Sequence, residues 1–324
     1  MQKEDKIMSK GINSRKVAVI GTGFVGSSSA FALMESGLFT EMVLIDANTA
    51  KAQGEAIDLS DGLPYTASMD IYAGTYDDIA DCALIIITAG ANQKEGETRL
   101  DLIGKNVKIM KSIISEITKR AFEGILMVVS NPVDVLTYAA YRLSGYPSNR
   151  VIGSGTVLDT ARLKQLVGEH LSVDARSVHA FIIGEHGDSE LAVWSSANVS
   201  GIDLNHFCEL RGYFDHESSM RRLYEKVRDS AYEIIKRKGA TYYGIAMAVA
   251  RISESIVKDE HSVLPISVVL EGQYGLDGLC LSLPSTVGKN GLEQVLEIPL
   301  SQPEKESLEA SARQLKDVIA GIEL

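Results

Sequence analysis

The sequence has little of three features that mark special classes of protein: positive charge, cysteine and long apolar runs. Its 32 lysine and arginine residues are outnumbered by 43 aspartate and glutamate residues, so the formal net charge is −11. An acidic chain repels phosphate backbones, which argues against binding to nucleic acid. Apolar runs such as the one at residues 83–87 are far too short to span a bilayer, which argues against a membrane protein.

The three cysteines, Cys82, Cys208 and Cys280, are odd in number and far apart. This pattern predicts neither a disulfide framework nor a metal site, and we expect free thiols in a reducing compartment. Residues 1–16 are polar and lack the apolar segment of a signal peptide. We therefore expect a cytoplasmic protein that holds no metal.

Internal repeats and low-complexity segments are also absent, and 45% apolar and 23% charged residues are typical of a globular protein. In the first half, continuous apolar runs indicate strands covered on both faces. Their alternation with helical patterns indicates a parallel, doubly wound sheet. Strands are predicted at 16–20, 42–46, 69–73, 83–88 and 125–130, and helices at 24–36 and 100–122.

After the turn Gly153-Ser154-Gly155 the pattern changes, and a length of 324 residues suggests two domains. We predict a doubly wound α/β (Rossmann) domain over residues 1–153, of which 1–14 form a flexible tail. An α+β substrate domain follows over 154–324. Its strands are predicted at 178–183, 191–197, 263–270 and 279–284, the last two antiparallel, and its helices at 158–170, 218–238, 245–258 and 307–324.

Residues 21–26 form a GxGxxG motif between a predicted strand and a predicted helix. The motif alone is a weak signal, because glycines cluster in many turns. Here Asp46 lies 20 residues after Gly26, at the end of the next predicted strand. A carboxylate at that position binds ribose hydroxyls and repels a 2′-phosphate, while the helix N-terminus faces the pyrophosphate. Together these features predict a site for NAD rather than NADP.

Three further clusters carry polar residues suited to chemistry. His186, in the sequence GEHGD, suits a general acid and base, although a loop histidine that only forms a hydrogen bond is an equally good reading. Asp159 and Arg162 share a face of a predicted helix and could act together. The alternative is an acidic residue that complements the helix dipole and an arginine that lies on the surface. Residues 89–99 follow a predicted strand and suit a mobile lid over a ligand, or else a solvated loop.

Together the clusters resemble one family, the L-lactate dehydrogenases of the bacterial type within the lactate/malate dehydrogenase superfamily. Five phrases carry the match in the family's order: GTGFVGSS, TAGANQKEGETR, SNPVDVLTY, GSGTVLDTARL and GEHGDSE. The resemblance covers the chain from about Arg15 onward. It implies an NAD-dependent oxidoreductase that interconverts pyruvate and L-lactate in glycolysis and pyruvate fermentation.

The resemblance also implies roles for single residues. His186 matches the proton donor and acceptor, and Asp159 the carboxylate that orients and stabilises it. Arg162 matches the arginine that grips the substrate carboxylate, and Arg99 the loop arginine that polarises the carbonyl. The implied substrate-binding residues are Gln93, Arg99, Asn131, Arg162 and Thr241. The implied cofactor-binding residues are Gly21, Gly23, Phe24, Val25, Gly26, Asp46, Lys51, Tyr76, Gly90, Ala91, Ser130, Asn131 and Ser154.

Gln93 is the residue that predicts the substrate. Malate dehydrogenases of the superfamily usually carry an arginine at this loop position, which pairs with the second carboxylate of oxaloacetate. A neutral glutamine would leave that charge poorly compensated, whereas it suits the methyl group of pyruvate. The adjacent Lys94 could take the place of the arginine, but neighbours on an extended loop point in different directions.

Lys164 and His179 match positions at which many bacterial members bind fructose 1,6-bisphosphate between subunits. The usual residue at Lys164 is arginine, and lysine binds a phosphate as a point charge without the two-point fork. We therefore expect weaker or more salt-sensitive activation of a homotetramer. The alternative is a surface lysine and a strand histidine that bind no effector.

Three other classes fit parts of the pattern. Ser219, Tyr232 and Lys236 have the spacing of short-chain dehydrogenases, although that family's glycine pattern differs and Tyr232 lies in a charged helix. NAD-dependent glycosidases need cysteine and histidine metal ligands, which Cys82 in a buried strand does not offer. A non-catalytic NAD sensor would tolerate the loss of the histidine, aspartate and arginine that this chain retains.

Overall fold

The computed structural model describes residues 11–91 and 99–322, and from residue 101 onward it describes the side chains of the second range. The first part of the chain alternates strands and helices, as predicted. The strands are β1 (Asn13–Ile20), β2 (Glu41–Ile45), β3 (Asp70–Ala73), β4 (Cys82–Ile87), β5 (Ile125–Val128) and β6 (Val151–Gly153). The helices are α1 (Phe24–Ser36), α2 (Thr49–Gly62), α3 (Arg99–Thr118) and α4 (Val133–Ser144).

The second part of the chain mixes helices with short and long strands. Its helices are α5 (Val157–Leu171), α6 (Leu204–Leu210), α7 (His216–Lys238), α8 (Tyr243–Val257) and α9 (Gln302–Ala320). Its strands are β7 (Val178–His179), β8 (Ile182–Ile183), β9 (Leu191–Ala192), β10 (Asn198–Val199), β11 (Ile202–Asp203), β12 (Ser262–Glu271), β13 (Asp277–Gly288) and β14 (Gly291–Val295).

A nine-stranded sheet has the order β14-β13-β12-β6-β5-β4-β1-β2-β3. The six strands from β6 to β3 pair in parallel, which confirms the predicted doubly wound sheet. The predicted antiparallel pair is also confirmed as β12 and β13. The sequence did not show that β12 pairs with β6, through Ser267 and Gly153, so that the second half extends the sheet of the first. A division of the chain at residue 153 stays a prediction.

Two predicted strands are wrong in extent. The segment predicted as one strand at 178–183 is divided, because β7 pairs with β10 while β8 pairs with β9 in another sheet. The hydroxyl of Thr160 accepts a hydrogen bond from the backbone nitrogen of Ile182 at 2.9 Å, so a side chain takes the place of a strand partner. The strand predicted at 191–197 ends at Ala192, and a 3-10 turn follows at Trp194–Ser196.

The closing helix α9 begins five residues before its predicted start. Ser301 and Glu304 form a capping box at its N-terminus, with Pro303 in the first turn. The carboxylate of Glu304 accepts a hydrogen bond from the backbone nitrogen of Ser301 at 2.8 Å. The cap satisfies amides that a helix start leaves unpaired, so the polar first turn is helical although it adds little apolar surface.

The strand order reverses direction between β1 and β4, which lie side by side at the centre of the sheet. The next strands in sequence then follow on opposite sides, since β2 lies beyond β1 and β5 lies beyond β4. Such a reversal opens a crevice at the carboxyl ends of the strands. No helix in the described part of the chain is long and apolar enough to cross a membrane.

Candidate functional site

Two of the three motif glycines are required by packing. Gly21 has a φ of +98°, and a Cβ on it would lie 2.6 Å from the backbone nitrogen of Ala89. A Cβ on Gly26 would lie 1.8 Å from the carbonyl oxygen of Gly21. Helix α1 therefore approaches the ends of β1 and β4 more closely than any residue with a side chain would allow.

Gly23 has the opposite surroundings. Apart from Gly23 itself and its two chain neighbours, no described residue has an atom within 4 Å of the position that its Cβ would take. It directly precedes α1 and, having no side chain, offers no acceptor to which the first amides of the helix could donate. Open space beside an uncapped helix N-terminus suits an anion, because the helix dipole and the free amides both favour negative charge. The turn therefore fits the pyrophosphate of a dinucleotide.

Asp46 follows β2 and holds the glycine turn in place. Its Oδ2 accepts hydrogen bonds from the backbone nitrogen and the hydroxyl of Thr22 at 2.7 and 3.0 Å, and its Oδ1 accepts one from the backbone nitrogen of Asn48 at 2.9 Å. Burial opposes its charge, but these hydrogen bonds hold the pKa of Asp46 below its usual value. A carboxylate has about four acceptor sites, so one remains for a ribose hydroxyl.

A cleft of about 580 Å³ lies at the ends of β1, β2 and β4. Ile109 and Ile113 of α3, which the sequence did not single out, supply an apolar wall. The glycine turn, the ionised carboxylate and this wall together fit NAD. Six of the predicted cofactor residues line the cleft: Gly21, Gly23, Asp46, Lys51, Tyr76 and Gly90.

The remaining predicted cofactor residues lie around this cleft or beyond it. Phe24 and Val25 open α1, and the exposed ring of Phe24 stacks on Tyr242 with centroids 5.3 Å apart. The hydroxyl of Ser130 donates to the carbonyl oxygen of Ala89 at 2.7 Å, which links the loops after β4 and β5. Ser154 is buried directly after β6.

Asn106 of α3 joins the same two loops, a role that the sequence analysis did not predict. Its Oδ1 accepts a hydrogen bond from the backbone nitrogen of Ala91 at 2.8 Å. Its Nδ2 donates to the backbone carbonyl of Asn131 at 2.8 Å. A buried amide that satisfies the backbone of both loops fixes the edge of the crevice. A polar residue on the apolar face of a predicted helix is the signal that could have revealed it.

The second cluster brings together residues from distant parts of the chain. His186 lies between β8 and β9, and its Nδ1 is 2.6 Å from Oδ2 of Asp159 on α5. Nη1 of Arg162 donates to the other oxygen of Asp159 at 2.7 Å, as their shared helix face predicts. The Asp159 side chain is 3% exposed, whereas 25% of His186 remains accessible. The buried anion of Asp159 thus lies between the side chains of Arg162 and His186, which both remain partly accessible to solvent.

The charges in this cluster support one another. Burial alone lowers the pKa of His186, but the charge and hydrogen bond of Asp159 outweigh it and raise the pKa to about 9. Burial likewise opposes ionisation of Asp159, yet His186 and Arg162 hold its pKa below the usual value. The arrangement therefore keeps a proton on His186 at neutral pH and can release it when the balance of charge changes.

Asp134, in the first turn of α4, anchors the backbone of the histidine loop. Its Oδ2 accepts a hydrogen bond from the backbone nitrogen of His186 at 2.8 Å, and its Oδ1 accepts one from the hydroxyl of Ser267 at 2.5 Å. Burial raises the pKa of Asp134 to about 6. Sequence reasoning missed this role, although an aspartate in the apolar stretch PVDVL was a visible signal.

Among the described residues, no hydrogen bond joins the predicted substrate residues Asn131 and Thr241 to this cluster. Asn131 is exposed at the end of the loop after β5, and Thr241 is half-buried between α7 and α8. Gln93 and the side chain of Arg99 lie outside the described residues. Of the predicted lid at residues 89–99, only the two ends are described.

The predicted effector residues lie on neighbouring elements. Lys164 is half-buried on α5, and burial lowers its pKa. His179 is exposed on β7. Tyr232 of the short-chain dehydrogenase alternative is exposed on α7 and donates a hydrogen bond to Asp188 at 2.9 Å, which fits a solvated helix face.

Two family models match the chain. The lactate/malate dehydrogenase NAD-binding domain matches residues 15–153, and the alpha/beta C-terminal domain of the same family matches residues 156–323. Together the two matches cover nearly all of the chain. The first match agrees with the dinucleotide site that the glycine turn and Asp46 form.

Individual proteins with high similarity include L-lactate dehydrogenases from bacteria. The one from Acetivibrio thermocellus is 53% identical over 310 residues, covering 96% of this chain and 98% of that protein. The one from Lacticaseibacillus casei is 51% identical over 305 residues, covering 94% and 93%. The crystal structure of the minor L-lactate dehydrogenase from Enterococcus mundtii in a ligand-bound form superposes with a TM-score of 0.93 at 44% identity, covering 96% and 99%.

Proposed function

The chain belongs to the lactate/malate dehydrogenase family, and we propose that it is an L-lactate dehydrogenase that transfers hydride reversibly between NADH and pyruvate. One observation carries the proposal: Asp159 lies between His186 and Arg162, at 2.6 and 2.7 Å. This arrangement offers a proton and a grip for a carboxylate side by side. The two bacterial L-lactate dehydrogenases that are 53% and 51% identical to this chain support the same reaction.

Bound NADH supplies the hydride, and the chain supplies the proton. Because Nδ1 of His186 faces Asp159, the proton given to the carbonyl oxygen of pyruvate is the one on Nε2. Asp159 stabilises the positive ring before the transfer. In lactate oxidation the neutral ring accepts the hydroxyl proton at the same atom.

Arg162 orients the substrate. Only one of its five N–H donors is assigned to Asp159, so the fork can bind the carboxylate of pyruvate at two points. We assign polarisation of the carbonyl to Arg99, a hydrogen bond to the reacting oxygen to Asn131, and one wall of the pocket to Thr241. Held in this way, the carbonyl carbon faces the hydride donor.

The first experiment removes the proton donor. His186→Ala is expected to lower kcat for NADH oxidation with pyruvate by about 10²–10⁴-fold, the usual contribution of a positioned acid or base. His206→Ala is the control, because His206 is an exposed histidine on α6 whose ring nitrogen Nδ1 lies 3.7 Å from the Glu209 carboxylate, outside hydrogen-bond distance. Equal activity of His186→Ala and His206→Ala would rule out the mechanism.

A second experiment separates lactate from malate dehydrogenase activity. We assign the choice of substrate to Gln93, since a neutral side chain cannot pair with a second substrate carboxylate. Gln93→Arg is expected to move the ratio of kcat/KM toward oxaloacetate and away from pyruvate. Gln93→Asn is the neutral control and should keep the preference for pyruvate. An unchanged ratio in Gln93→Arg would remove Gln93 from the selectivity assignment.

Fructose 1,6-bisphosphate is proposed as an activator that binds Lys164 and His179 next to their copies in a neighbouring subunit. An anion would relieve repulsion between these cations and shift the subunits toward the active arrangement. The activation should weaken as the salt concentration rises, because lysine binds a phosphate as a point charge without the two-point fork. The test is pyruvate saturation at low and at high salt with and without the bisphosphate, with His179→Gln as the variant and His206→Gln as the control. Identical wild-type curves would reject the effector.

A homotetramer in the cytoplasm is the proposed working form, with roles in glycolysis and pyruvate fermentation. Large exposed apolar side chains on three helices support self-association. The three free, buried cysteines suit a reducing compartment. Light scattering should give four times the chain mass of 35.0 kDa. The exposed side chains are Phe24 and Phe31 on α1, Ile57 on α2, and Tyr243 and Met247 on α8.

A further inference from the structure

Glu190 is a buried carboxylate that the proposed mechanism does not use. It directly precedes β9 and is 4% exposed. The backbone fixes its position, because its amide donates to the carbonyl oxygen of Gly187 at 3.2 Å and its own carbonyl accepts the hydroxyl of Tyr224. The side chain is therefore held inside the protein rather than free to turn to solvent.

The carboxylate of Glu190 lies against the catalytic pair. A carboxylate oxygen of Glu190, one of Asp159 and a ring nitrogen of His186 lie within 4.8 Å of one another. In the described part of the chain, Oε1 of Glu190 is buried and receives no hydrogen bond. A buried carboxylate in this state needs either a proton or a compensating positive charge.

The balance of charge identifies the compensating group. Before a substrate binds, the cation of Arg162 is paired with the anion of Asp159 at 2.7 Å. Arg228 of α7 is paired with Asp229 at 2.9 Å. The cationic group within 4.8 Å of the Glu190 carboxylate is the protonated ring of His186, which Asp159 also holds at 2.6 Å.

Other titratable and charged groups also face the side chains of Glu190 and His186. Burial and the neighbouring charge of Asp159 raise the pKa of Glu190 to about 8, although the charges of His186, Arg162 and Arg228 oppose that rise. Conversely, the charge of Glu190 is one of the causes that raise the pKa of His186. The titratable and charged groups around the pair are Asp159 and Arg162 on α5, Tyr224 and Arg228 on α7, and Asp134 on α4.

We propose that Glu190 is a positioning residue that, once ionised, holds the catalytic proton on His186. The inference rests on the proposed function, in which His186 gives its proton to pyruvate. When His186 releases that proton, the negative charge of Glu190 loses its partner, so the pair favours return of the proton. Glu190 therefore favours the form that reduces pyruvate over the form that oxidises lactate.

The experiment compares the two directions of the reaction across pH. We measure kcat/KM for pyruvate and for lactate between about pH 6 and about pH 10 in the wild type, Glu190→Gln and Glu190→Asp. Glu190→Gln should lower the midpoint of both profiles by about one pH unit, the low end of the effect of an opposite charge at ~4–6 Å. Above both midpoints, where Glu190 of the wild type is ionised, pyruvate reduction then falls about tenfold in Glu190→Gln. Glu190→Asp keeps the charge and should return the midpoints toward those of the wild type.

Glu304→Gln is the matched control. Glu304 is also a buried glutamate, but it accepts hydrogen bonds from Ser195 and Ser301 at the start of α9. Replacing the Glu304 carboxylate with an amide should lower Tm and leave the midpoints of both pH profiles unchanged. A general effect of replacing a buried glutamate would instead move the profiles of both Gln variants.

An NMR titration of the His186 ring in the ligand-free protein separates the two hypotheses. If the wild type does not reduce pyruvate but Glu190→Gln still lowers the His186 midpoint, the proposed function fails and the role of Glu190 stands. If the wild type is active and Glu190→Gln leaves both the profiles and the ring titration unchanged, the role of Glu190 is wrong. An equal shift in Glu190→Asp and Glu190→Gln would also overturn it, because loop geometry rather than charge would then set the midpoint.

Discussion

The glycine turn, residues 21–26, is made by consecutive residues of one strand-turn-helix unit. The centre formed by Asp134, Asp159, Arg162 and His186 instead joins side chains from α4, α5 and the loop after β8. In the turn the decisive quantity is the space between backbone atoms: a Cβ at Gly26 would overlap the carbonyl of Gly21. In the centre it is the balance of charge around Asp159 and His186. The turn should therefore respond to added volume, and the centre to a change of charge at constant shape.

The largest expected effect comes from a change of charge in the centre. Asp159→Asn keeps the shape of the side chain but removes the anion that stabilises the protonated ring of His186. We expect kcat with pyruvate to fall by about 10²–10⁴-fold, while NADH binding measured by fluorescence stays the same. A loss of NADH affinity as large as the loss of kcat would show that the two regions are not separate.

The next effect tests added volume in the glycine turn. Gly26→Ala places a methyl group 1.8 Å from the Gly21 carbonyl, and we expect a loss of about 3 kcal/mol in the free energy of unfolding, at the upper end for overpacking. Gly23→Ala is the matched control, because the space around its Cβ is open. It should unfold like the wild type in urea and bind NADH more weakly. Equal stability of the two variants would contradict this distinction.

A smaller effect is expected at the anchor of the histidine loop. Asp134→Ala removes the acceptor for the His186 amide and for the Ser267 hydroxyl, and buried groups left unpaired cost about 1–3 kcal/mol. Ser267→Ala breaks only the second of these hydrogen bonds. The midpoint of thermal unfolding, Tm, and kcat should both fall more in Asp134→Ala than in Ser267→Ala. The reverse order would show that the hydroxyl, not the loop amide, depends on Asp134.

The smallest effect concerns Asp46, where charge acts inside the cofactor cleft. Asp46→Ala removes a ribose acceptor and the repulsion of a 2′-phosphate, so NADH binding should weaken by about tenfold and the preference over NADPH should narrow. Asp46→Asn retains an acceptor oxygen without the charge. It should bind NADH better than Asp46→Ala while tolerating NADPH to a similar degree. An unchanged NADH/NADPH ratio in both variants would place Asp46 outside the cofactor site.

The difference between the two regions also explains what could be predicted from the sequence. The glycine turn was predictable because its parts are close in sequence and follow one strand-turn-helix pattern. The relation of Asp159 to Arg162 was predictable too, since helical spacing places them on one face. The roles of Asp134, Asn106 and Glu190 were not, because each depends on a partner that is distant in sequence or on burial.

The extents of the short strands could not be predicted from the sequence for the same reason. An apolar run predicts burial, but it does not say which strand will pair with it, and residues 178–183 in fact pair with two different sheets. A side chain also intervened, since the Thr160 hydroxyl binds the Ile182 amide. In contrast, the long runs of β1 and β4 could only be central strands, because nearly all of their apolar residues need cover on both faces.

The sequence by itself determined the doubly wound sheet and the dinucleotide turn, because periodicity and glycine spacing act over a few residues. The residues of a 2-keto acid dehydrogenase were implied by the resemblance to the lactate/malate dehydrogenases. Tertiary structure decided that β12 joins the sheet beside β6 and that His186 meets Asp159. It also decided that Glu190 is buried beside them. These outcomes depend on which distant segments pack together, and the cost of burying charge then fixes how the protons are shared.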